Sequence, residues 1–210
     1  MEFKLSTVNK IPIVYTDNFH SDEEINLMYA EAEKIRKLGL LNKGGSGGAH
    51  KRYKNDKGEE VKESLAQNQT IFMDRLYRDP RVSDLLNITG KVQDKKLIDY
   101  LISLHPYFVT LLQNRRYSSL LSYYDKEQQY KAHMDSAFVT ILHWFYKEPK
   151  VFTGGEFLIE DKLKIDCVRG RTVWMPSWAL HAVLPVVMPK DKQGLGLGRY
   201  TLTQFVTQGE

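Results

Sequence analysis

The chain has few of the features that mark secreted or membrane-spanning proteins. It contains one cysteine, Cys167, which excludes an internal disulfide and is interpreted as a small buried apolar residue. No apolar run approaches the about 20 residues of a membrane-spanning helix, and residues 1–10 lack the apolar core of a secretory signal. We therefore predict a soluble protein of a reduced compartment, cytoplasmic or otherwise intracellular, with no membrane partner.

A large excess of either charge is also missing, which disfavours a dedicated nucleic-acid-binding protein. The 30 Lys and Arg residues oppose 26 Asp and Glu residues, for a net charge of +4. The hydrophobic share of 42% and the charged share of 27% are those of an ordinary globular protein. A length of 210 residues suits one domain, so the predicted domain covers residues 1–210.

The first half of the chain carries the clearest helix signal. Ser21 followed by Glu24 is typical of a capping box, and apolar residues then recur at helical spacing over residues 22–38. Gly39 follows and suits the C-terminal cap of this helix. Residues 11–15 are predicted to form a short strand before it.

The rest of this half is less regular. Residues 42–60 are rich in glycine and lysine and are predicted to form a mobile loop, which leaves open whether the loop is a substrate lid. Residues 81–114 are mostly helical in pattern, beginning after Pro80 and interrupted at Pro106. We therefore predict that residues 1–115 form a mostly helical support region.

From residue 116 onward, short segments rich in β-branched and aromatic residues alternate with turn residues. Evenly spaced short strands are typical of a β-sandwich or a jelly-roll barrel. We predict that residues 116–210 form this core, so the predicted fold class is α+β, mainly β. The predicted strands are 117–124, 130–135, 138–146, 155–160, 163–168, 172–175, 181–187 and 200–206.

A histidine and an aspartate two residues apart, His133 and Asp135, are candidate metal ligands. Residues at this spacing share one face of a strand, but the pair alone is a weak signal because short motifs recur by chance. His181 lies on a later predicted strand, and distant strands of a jelly roll return to the same mouth of the barrel. Two histidines and one carboxylate form the facial triad of non-haem Fe(II) oxygenases.

The last predicted strand carries a candidate anion receptor. Arg199 and Thr201 share one face of this strand, among apolar neighbours that disfavour a solvent-exposed arginine. A guanidinium beside a hydroxyl suits a carboxylate inside the barrel, because the guanidinium can bind both carboxylate oxygens.

Together these motifs resemble the 2-oxoglutarate- and Fe(II)-dependent dioxygenases, and within them the prolyl 4-hydroxylase-like group. The resemblance covers about residues 117–206 and rests on motifs that occur in the same order and at similar spacing. The motifs are the run of Tyr124, Tyr130, His133 and Asp135, the strand at 139–142, the turn of Gly154, Gly155 and Glu156, the strand at 170–177 that leads to His181, and Arg199 with Thr201.

The resemblance implies a double-stranded β-helix, or jelly-roll, core with N-terminal supporting helices. The implied reaction couples the oxidative decarboxylation of 2-oxoglutarate by O2, which releases succinate and CO2, to hydroxylation of a C–H bond. It requires no catalytic side chain beyond the metal ligands, and ascorbate is a further candidate cofactor. The implied Fe(II) ligands are His133, Asp135 and His181, and the implied 2-oxoglutarate contacts are Tyr124, Arg199 and Thr201.

Three aromatic residues are assigned with less support from the motifs. Trp144 stands where the group often has a tyrosine that helps to bind the distal carboxylate, and its indole N–H can donate but cannot accept. We predict that it contacts the cosubstrate. Tyr130 and Trp178 are candidate substrate contacts.

Two predictions concern residues outside the motifs. An insertion at 187–198 separates the distal histidine from the arginine, and with residues 42–60 it is interpreted as a flexible loop that could close over an extended chain. His143 faces the other side of the strand from Trp144 and is interpreted as structural, whereas His20 has no identifiable partner in the sequence.

The leading prediction is a peptidyl-prolyl hydroxylase that acts on a protein or peptide. The same chemistry on a small molecule, a free amino acid or a nucleic-acid base stays open, and the net charge of +4 and the basic residues 51–57 favour nucleic acid. A jelly roll that binds a ligand or metal without catalysis is the third hypothesis, because this fold hosts many non-enzymes.

Overall fold

Two antiparallel β-sheets face each other across the main apolar core. The structure is a computed structural model that describes residues 2–43, 50–113 and 115–209. Its strands are β1 (Phe3–Val8), β2 (Ile11–Thr16), β3 (Asn42–Lys43), β4 (His50–Lys54), β5 (Glu60–Ser64), β6 (Gln69–Phe72), β7 (Arg115–Tyr124), β8 (Tyr130–His133), β9 (Val139–Phe145), β10 (Thr153–Gly154), β11 (Phe157–Ile159), β12 (Leu163–Ile165), β13 (Thr172–Pro176), β14 (His181–Val183), β15 (Val186–Val187) and β16 (Arg199–Gln208). The α-helices are α1 (Asp22–Lys37), α2 (Asp84–Thr89) and α3 (Lys95–Leu104), and the 3₁₀ helices are Met73–Arg75, Pro80–Val82, Gly90–Gln93, Pro106–Leu112 and Lys190–Lys192.

The larger sheet has the strand order β1-β2-β13-β9-β16-β7-β6-β3, and the smaller sheet has the order β12-β11-β14-β8. Side chains from both sheets meet in one apolar cluster, including Leu142 and Met175 of the larger sheet and Phe157 and Ile159 of the smaller. Two further pairs, β4 with β5 and β10 with β15, form separate ribbons. This arrangement confirms the predicted mainly-β, jelly-roll fold class.

Helix α1 covers the other face of the larger sheet. Ser21 accepts from the backbone N–H of Glu24, whose carboxylate accepts from the Ser21 N–H, so the predicted capping box is present. Ile25 and Met28 on the apolar stripe pack with Leu121 and other residues of β7 and β16. Among the described residues, no helix is long and apolar enough to cross a membrane.

The structure corrects the prediction that residues 42–60 form a loop. Residues 44–49 lie outside the described part of the chain, but β4 and β5 pair as an antiparallel hairpin over residues 50–64. The alternation that marks a half-buried strand is missing from β4, because four of its five residues are exposed. The hairpin therefore could not be found from hydrophobic periodicity.

The region 1–115 also contains more strand than the predicted helical support. In the described part of this region six strands, β1 to β6, precede residue 115, and four of them extend the larger sheet at its two edges. The predicted helical stretch 81–114 is divided into α2, α3 and short 3₁₀ segments. Strands from both halves of the chain therefore build one sheet.

The insertion at 187–198 is anchored to α1 and does not line the main cavity. Arg36 donates to the carbonyl of Gly194 (3.1 Å), and the N–H of Gly194 donates to the buried carboxylate of Asp125 (2.7 Å). The Tyr29 hydroxyl donates to the carbonyl of Gly196 (3.3 Å). These contacts disagree with the interpretation of the insertion as a loop that closes over a substrate.

His143 is buried behind the larger sheet, as expected for a structural residue, and it has a partner that the sequence did not reveal. His143 Nδ1 lies 2.9 Å from Nε2 of His20, and His143 Nε2 lies 3.0 Å from the amide oxygen of Gln204. Because that oxygen only accepts, Nε2 of His143 carries the proton and Nδ1 accepts from His20. The pair is therefore held neutral.

Burial lowers the pKa of both histidines, to about 2 for His20 and about 4 for His143. The charged neighbours are Glu24, 3.9 Å from His20, and Lys91, whose positive charge lowers both pKa values further. In the unfolded chain a histidine binds a proton near pH 6.5. Stability is therefore fully present above that pH and is lost as the pH falls, because only the unfolded state takes up the protons.

We expect each member of the pair to add a slope of about 1.4 kcal/mol per pH unit to the free energy of unfolding between about pH 6 and its own folded-state pKa, which is about 4 for His143. His20→Gln keeps a donor toward His143 and removes one titrating group, so its slope should be lower by that amount. Urea unfolding at several pH values measures the slopes, with His50→Gln on the hairpin as the control. Equal slopes for wild type and His20→Gln would contradict the assignment.

Candidate metal centre

Two histidines and an aspartate converge where the smaller sheet faces the cavity. His133 ends β8 and His181 begins β14, and the two are direct partners in the strand register. His133 Nε2 lies 3.6 Å from Asp135 Oδ1, and His181 Nε2 lies 3.4 Å from Asp135 Oδ2. One ligand atom from each residue lies within 4.8 Å of the others, so the three predicted ligands are brought together.

Asp135 reaches this cluster by a different route from the one predicted. Strand β8 ends at His133, so Asp135 does not share a strand face with it. Instead the Asp135 N–H donates to the carbonyl of Ser177 (2.9 Å), which fixes the loop beside the chain leading to His181. The Thr140 hydroxyl donates to Asp135 Oδ2 and is in turn 2.8 Å from the Ser177 hydroxyl. A short polar chain therefore orients the carboxylate.

The backbone fixes the proton on each histidine. His133 Nδ1 lies 2.9 Å from the carbonyl of Lys131, and His181 Nδ1 lies 2.8 Å from the carbonyl of Ala179. A carbonyl oxygen only accepts, so Nδ1 is the protonated nitrogen and Nε2 of the neutral ring presents its lone pair. Both Nε2 atoms consequently face the Asp135 carboxylate.

The charge states agree with this arrangement. Burial, together with nearby His181, lowers the pKa of His133 to about 4. Burial alone would raise the pKa of Asp135, but His181, His133 and Thr140 together hold it below its ordinary value. The Nε2 atoms of both histidines and the Asp135 carboxylate thus point at one place. This donor set suits a divalent cation such as Fe(II), Mn(II) or Zn(II).

A cavity of about 450 Å³ opens beside these three residues. Its floor is the inner face of β16, where Arg199, Thr201, Thr203, Phe205 and Thr207 alternate with residues that face the helices behind the sheet. The neighbouring strands continue the floor with residues that pair with this row, Ser122 opposite Thr201 and Leu120 opposite Thr203. The cavity therefore runs along β16, with Arg199 at one end and Phe205 and Thr207 toward the other.

Arg199 is a buried cation whose hydrogen bonds are incomplete. Its side chain is 1% exposed, and Nη1 donates to the Thr201 hydroxyl (2.7 Å). Among the described residues, Nε and Nη2 have no partner. Because an unpaired buried charge is costly, these two nitrogens form a receptor suited to an anion in the cavity.

The guanidinium of Arg199 is held between two aromatic rings. Its central carbon lies 5.0 Å from the centroid of the Tyr124 ring and 5.2 Å from that of the Trp144 ring. Tyr124 lines the cavity, and burial raises the pKa of its phenol, which keeps the hydroxyl protonated. Trp144 does not line the cavity, although its buried Nε1–H has no partner among the described residues.

The glycine turn between β10 and β11 leaves room for this arginine. Gly155 has a φ of +74°, and a Cβ there would lie 3.0 Å from Cδ of Arg199. At Gly154 a Cβ would lie 2.1 Å from the carbonyl oxygen of Pro185, closer than any side chain allows. The two glycines therefore serve close packing around Arg199 and β15.

The other predicted residues lie on the metal side of the cavity. Tyr130 stacks on His133 with ring centroids 3.6 Å apart and lines the cavity. Trp178 is 51% exposed and does not line it, but it follows Ser177, which orients Asp135.

The far end of the cavity is lined by residues that were not predicted from the sequence. Phe72 and Phe205 form an aromatic pair with ring centroids 6.4 Å apart, and both line the cavity. Alternate residues of a strand share a face, so the even spacing between Arg199 and Phe205 could have placed Phe205 on the cavity side of β16. Nothing comparable marked Phe72, because β6 joins the sheet through a long-range pairing with β7.

The backbone has counterparts among solved structures. A Pseudomonas putida prolyl-4-hydroxylase is 18% identical and superposes over 93% of this chain and 92% of its own, with a TM-score of 0.61. The chain has the prolyl hydroxylase fold.

Two further structures agree. A prolyl hydroxylase from Trichoplax adhaerens, in complex with a peptide fragment of the hypoxia inducible factor oxygen degradation domain, is 13% identical, with a TM-score of 0.61 over 93% of this chain and 83% of its own. The viral collagen prolyl hydroxylase of Paramecium Bursaria Chlorella virus-1, in a 2-oxoglutarate complex, is 16% identical, with a TM-score of 0.58 over 94% and 96%. No family model and no curated protein sequence matches the chain. The resemblance in the sequence is thus confirmed at the level of the fold.

Proposed function

We propose that the chain is a 2-oxoglutarate- and Fe(II)-dependent dioxygenase that hydroxylates a peptidyl proline. The observation that carries the proposal is that the triad and the buried, half-satisfied Arg199 line the same cavity. A molecule that chelates a metal at one end and carries a carboxylate at the other satisfies both, and 2-oxoglutarate has this form.

His133, Asp135 and His181 would hold Fe(II) on one face, leaving the face toward the cavity open. Bound Fe(II) would supply the activation of O2 that couples 2-oxoglutarate, O2 and a C–H bond to succinate, CO2 and an alcohol. The carbonyl acceptors of Lys131 and Ala179 keep both Nε2 atoms available as ligands.

Arg199 would bind the distal carboxylate of 2-oxoglutarate through the two nitrogens that lack a partner. The Thr201 hydroxyl accepts from Nη1 and so retains its own proton to donate to the same carboxylate. Tyr124 and Trp144 pack against the guanidinium and hold it in place. On binding, the distal carboxylate would lose its hydrogen bonds to water and gain hydrogen bonds from donors that are already held in place in a buried site.

The substrate end of the cavity favours an uncharged group. Apart from the three triad residues and Arg199, the described lining residues carry no ionisable charge near neutral pH. Phe72 and Phe205 offer flat apolar surfaces that suit an aliphatic ring such as proline. The lining has no lysine to neutralise phosphates, which favours a polypeptide over a nucleic acid.

The test has two stages. Fe(II) and then 2-oxoglutarate are added without oxygen, and a visible charge-transfer band reports chelation of the 2-oxo acid at the metal. Oxygen and proline-containing peptides are then supplied, and mass spectrometry looks for addition of one oxygen on proline. Chelation and succinate formation without oxygen on any proline would overturn the prolyl assignment. Absence of the band in folded protein would favour the non-catalytic jelly roll.

A further inference from the structure

An exposed apolar surface adjoins the candidate metal centre, and one of its residues, Met134, lines the cavity. Met134 is 62% exposed, Trp178 is 51% exposed and Phe138 is 37% exposed. We call these three residues the apolar lip. Isolated exposed apolar side chains are ordinary in soluble proteins, whereas neighbouring ones beside a cavity mark binding surfaces.

The backbone ties the three residues of the lip together. The Asp135 N–H, next to Met134, donates to the carbonyl of Ser177, next to Trp178 (2.9 Å). The Ser177 N–H donates to the carbonyl of Phe138 (3.1 Å), whose oxygen also accepts from the Tyr107 hydroxyl. The lip is therefore a fixed part of the fold with its side chains directed outward.

The lip is continuous with the metal centre. Met134 lies between the ligands His133 and Asp135 and lines the cavity itself. Trp178 follows Ser177, whose hydroxyl contacts Thr140 and through it Asp135. The lip therefore joins the cavity, through Met134, to the exposed surface.

The lip also carries no free charge. Residues 134–138 and 176–180 contain one ionisable residue, Asp135, and its carboxylate faces the metal centre. Tryptophan and methionine are among the residues enriched in the central part of protein interfaces, and charged residues are depleted there. The surface therefore matches an apolar side chain and offers nothing to a phosphate or a carboxylate.

We infer that the apolar lip binds an apolar side chain adjacent to the residue that enters the cavity, so that the substrate is a polypeptide with a large aliphatic or aromatic neighbour at the modified position. The inference rests on the proposed function, whose active site supplies the cavity. It narrows the substrate from any proline-containing chain to one with an apolar flank.

The experiment compares the binding of two short proline-containing peptides that differ only in leucine or serine beside the proline. Binding is measured by calorimetry with Mn(II) and 2-oxoglutarate in place of the turnover system, so it does not depend on hydroxylation. We expect wild type to bind the leucine peptide about tenfold more tightly, a difference within the range of a single interface residue. Equal affinities, or no binding of either peptide, would overturn the inference.

Two substitutions locate the effect. Trp178→Ser and Met134→Gln should each remove most of the preference for leucine, whereas Leu195→Ser, on the exposed insertion, should retain it. Affinity for 2-oxoglutarate, which is set near Arg199, reports whether a variant has disturbed the site. A preference unchanged in both lip variants would refute the assignment.

The two failures are distinguishable. Leucine preference without hydroxylation of proline would leave the lip intact and reject the prolyl chemistry. Hydroxylation of both peptides, bound with equal affinity, would support the prolyl chemistry and reject the role of the lip.

Discussion

His133→Ala is expected to abolish the visible band of the Fe(II)–2-oxoglutarate complex and to reduce succinate formation by at least about 100-fold. Loss of a residue that only supports a metal ligand already costs 10- to 100-fold in affinity or activity, and His133 supplies a ligand atom itself. The remaining Asp135 and His181 leave a divalent cation with two protein ligands. The variant should therefore bind 2-oxoglutarate only through Arg199.

The variant should stay folded, because His133 lies at the end of β8 and contacts the cavity on one side. Circular dichroism and thermal unfolding check this. His50→Ala removes a histidine from the hairpin and serves as the matched control, with wild-type band and turnover. A full-strength band in His133→Ala would show that the metal binds elsewhere.

Arg199→Met is expected to raise the KM for 2-oxoglutarate by about 100-fold while making the protein without cosubstrate more stable. Affinity for 2-oxoglutarate should fall because the substitution removes the buried charged partner of its carboxylate, which typically costs 2–5 kcal/mol. The stability of the protein without cosubstrate should rise because Nε and Nη2 of Arg199 have no partner among the described residues. An unsatisfied buried group costs about 1–3 kcal/mol. Methionine replaces the aliphatic stem of the arginine and has no polar atom to satisfy.

Thermal unfolding with and without Mn(II) and 2-oxoglutarate separates the two effects. Wild type should gain about 2.7 kcal/mol at a ligand concentration of 100 times Kd, whereas the variant should start from a higher midpoint and gain little. Arg116→Met, on the exposed end of β7, is the control for loss of an arginine. A variant that keeps both its wild-type midpoint and its response to 2-oxoglutarate would contradict the role of Arg199.

Some parts of the site could be predicted from the sequence because they depend only on the local pattern of residues along a strand. Arg199 and Thr201 share a face because β16 is a regular strand, and their side chains are hydrogen-bonded as that spacing implies. His133 and His181 were found from residue type and motif order, and the strand register makes them direct partners. The fold class followed from many short strands, which is a property of the whole chain.

Other features depend on pairings between distant segments. Asp135 reaches the metal centre through the carbonyl of Ser177, and Phe72 reaches the cavity through the pairing of β6 with β7. His20 gains its partner only when residues 123 positions apart meet behind the sheet. No short-range periodicity encodes such contacts, which is why the hairpin, the lip and the histidine pair came from the structure alone.

The two ends of the cavity differ in how firmly the backbone holds them. Arg199 begins β16, which has ten residues and is paired on both sides within the larger sheet. The triad comes from β8 and β14, which have four and three residues, and from the loop that carries Asp135. Local opening is easiest where few backbone hydrogen bonds hold a strand, so amide exchange should be slow along β16 and faster around the three candidate ligands. A bound cation would cross-link this weaker sheet, and the candidate metal centre would become rigid only when it is loaded.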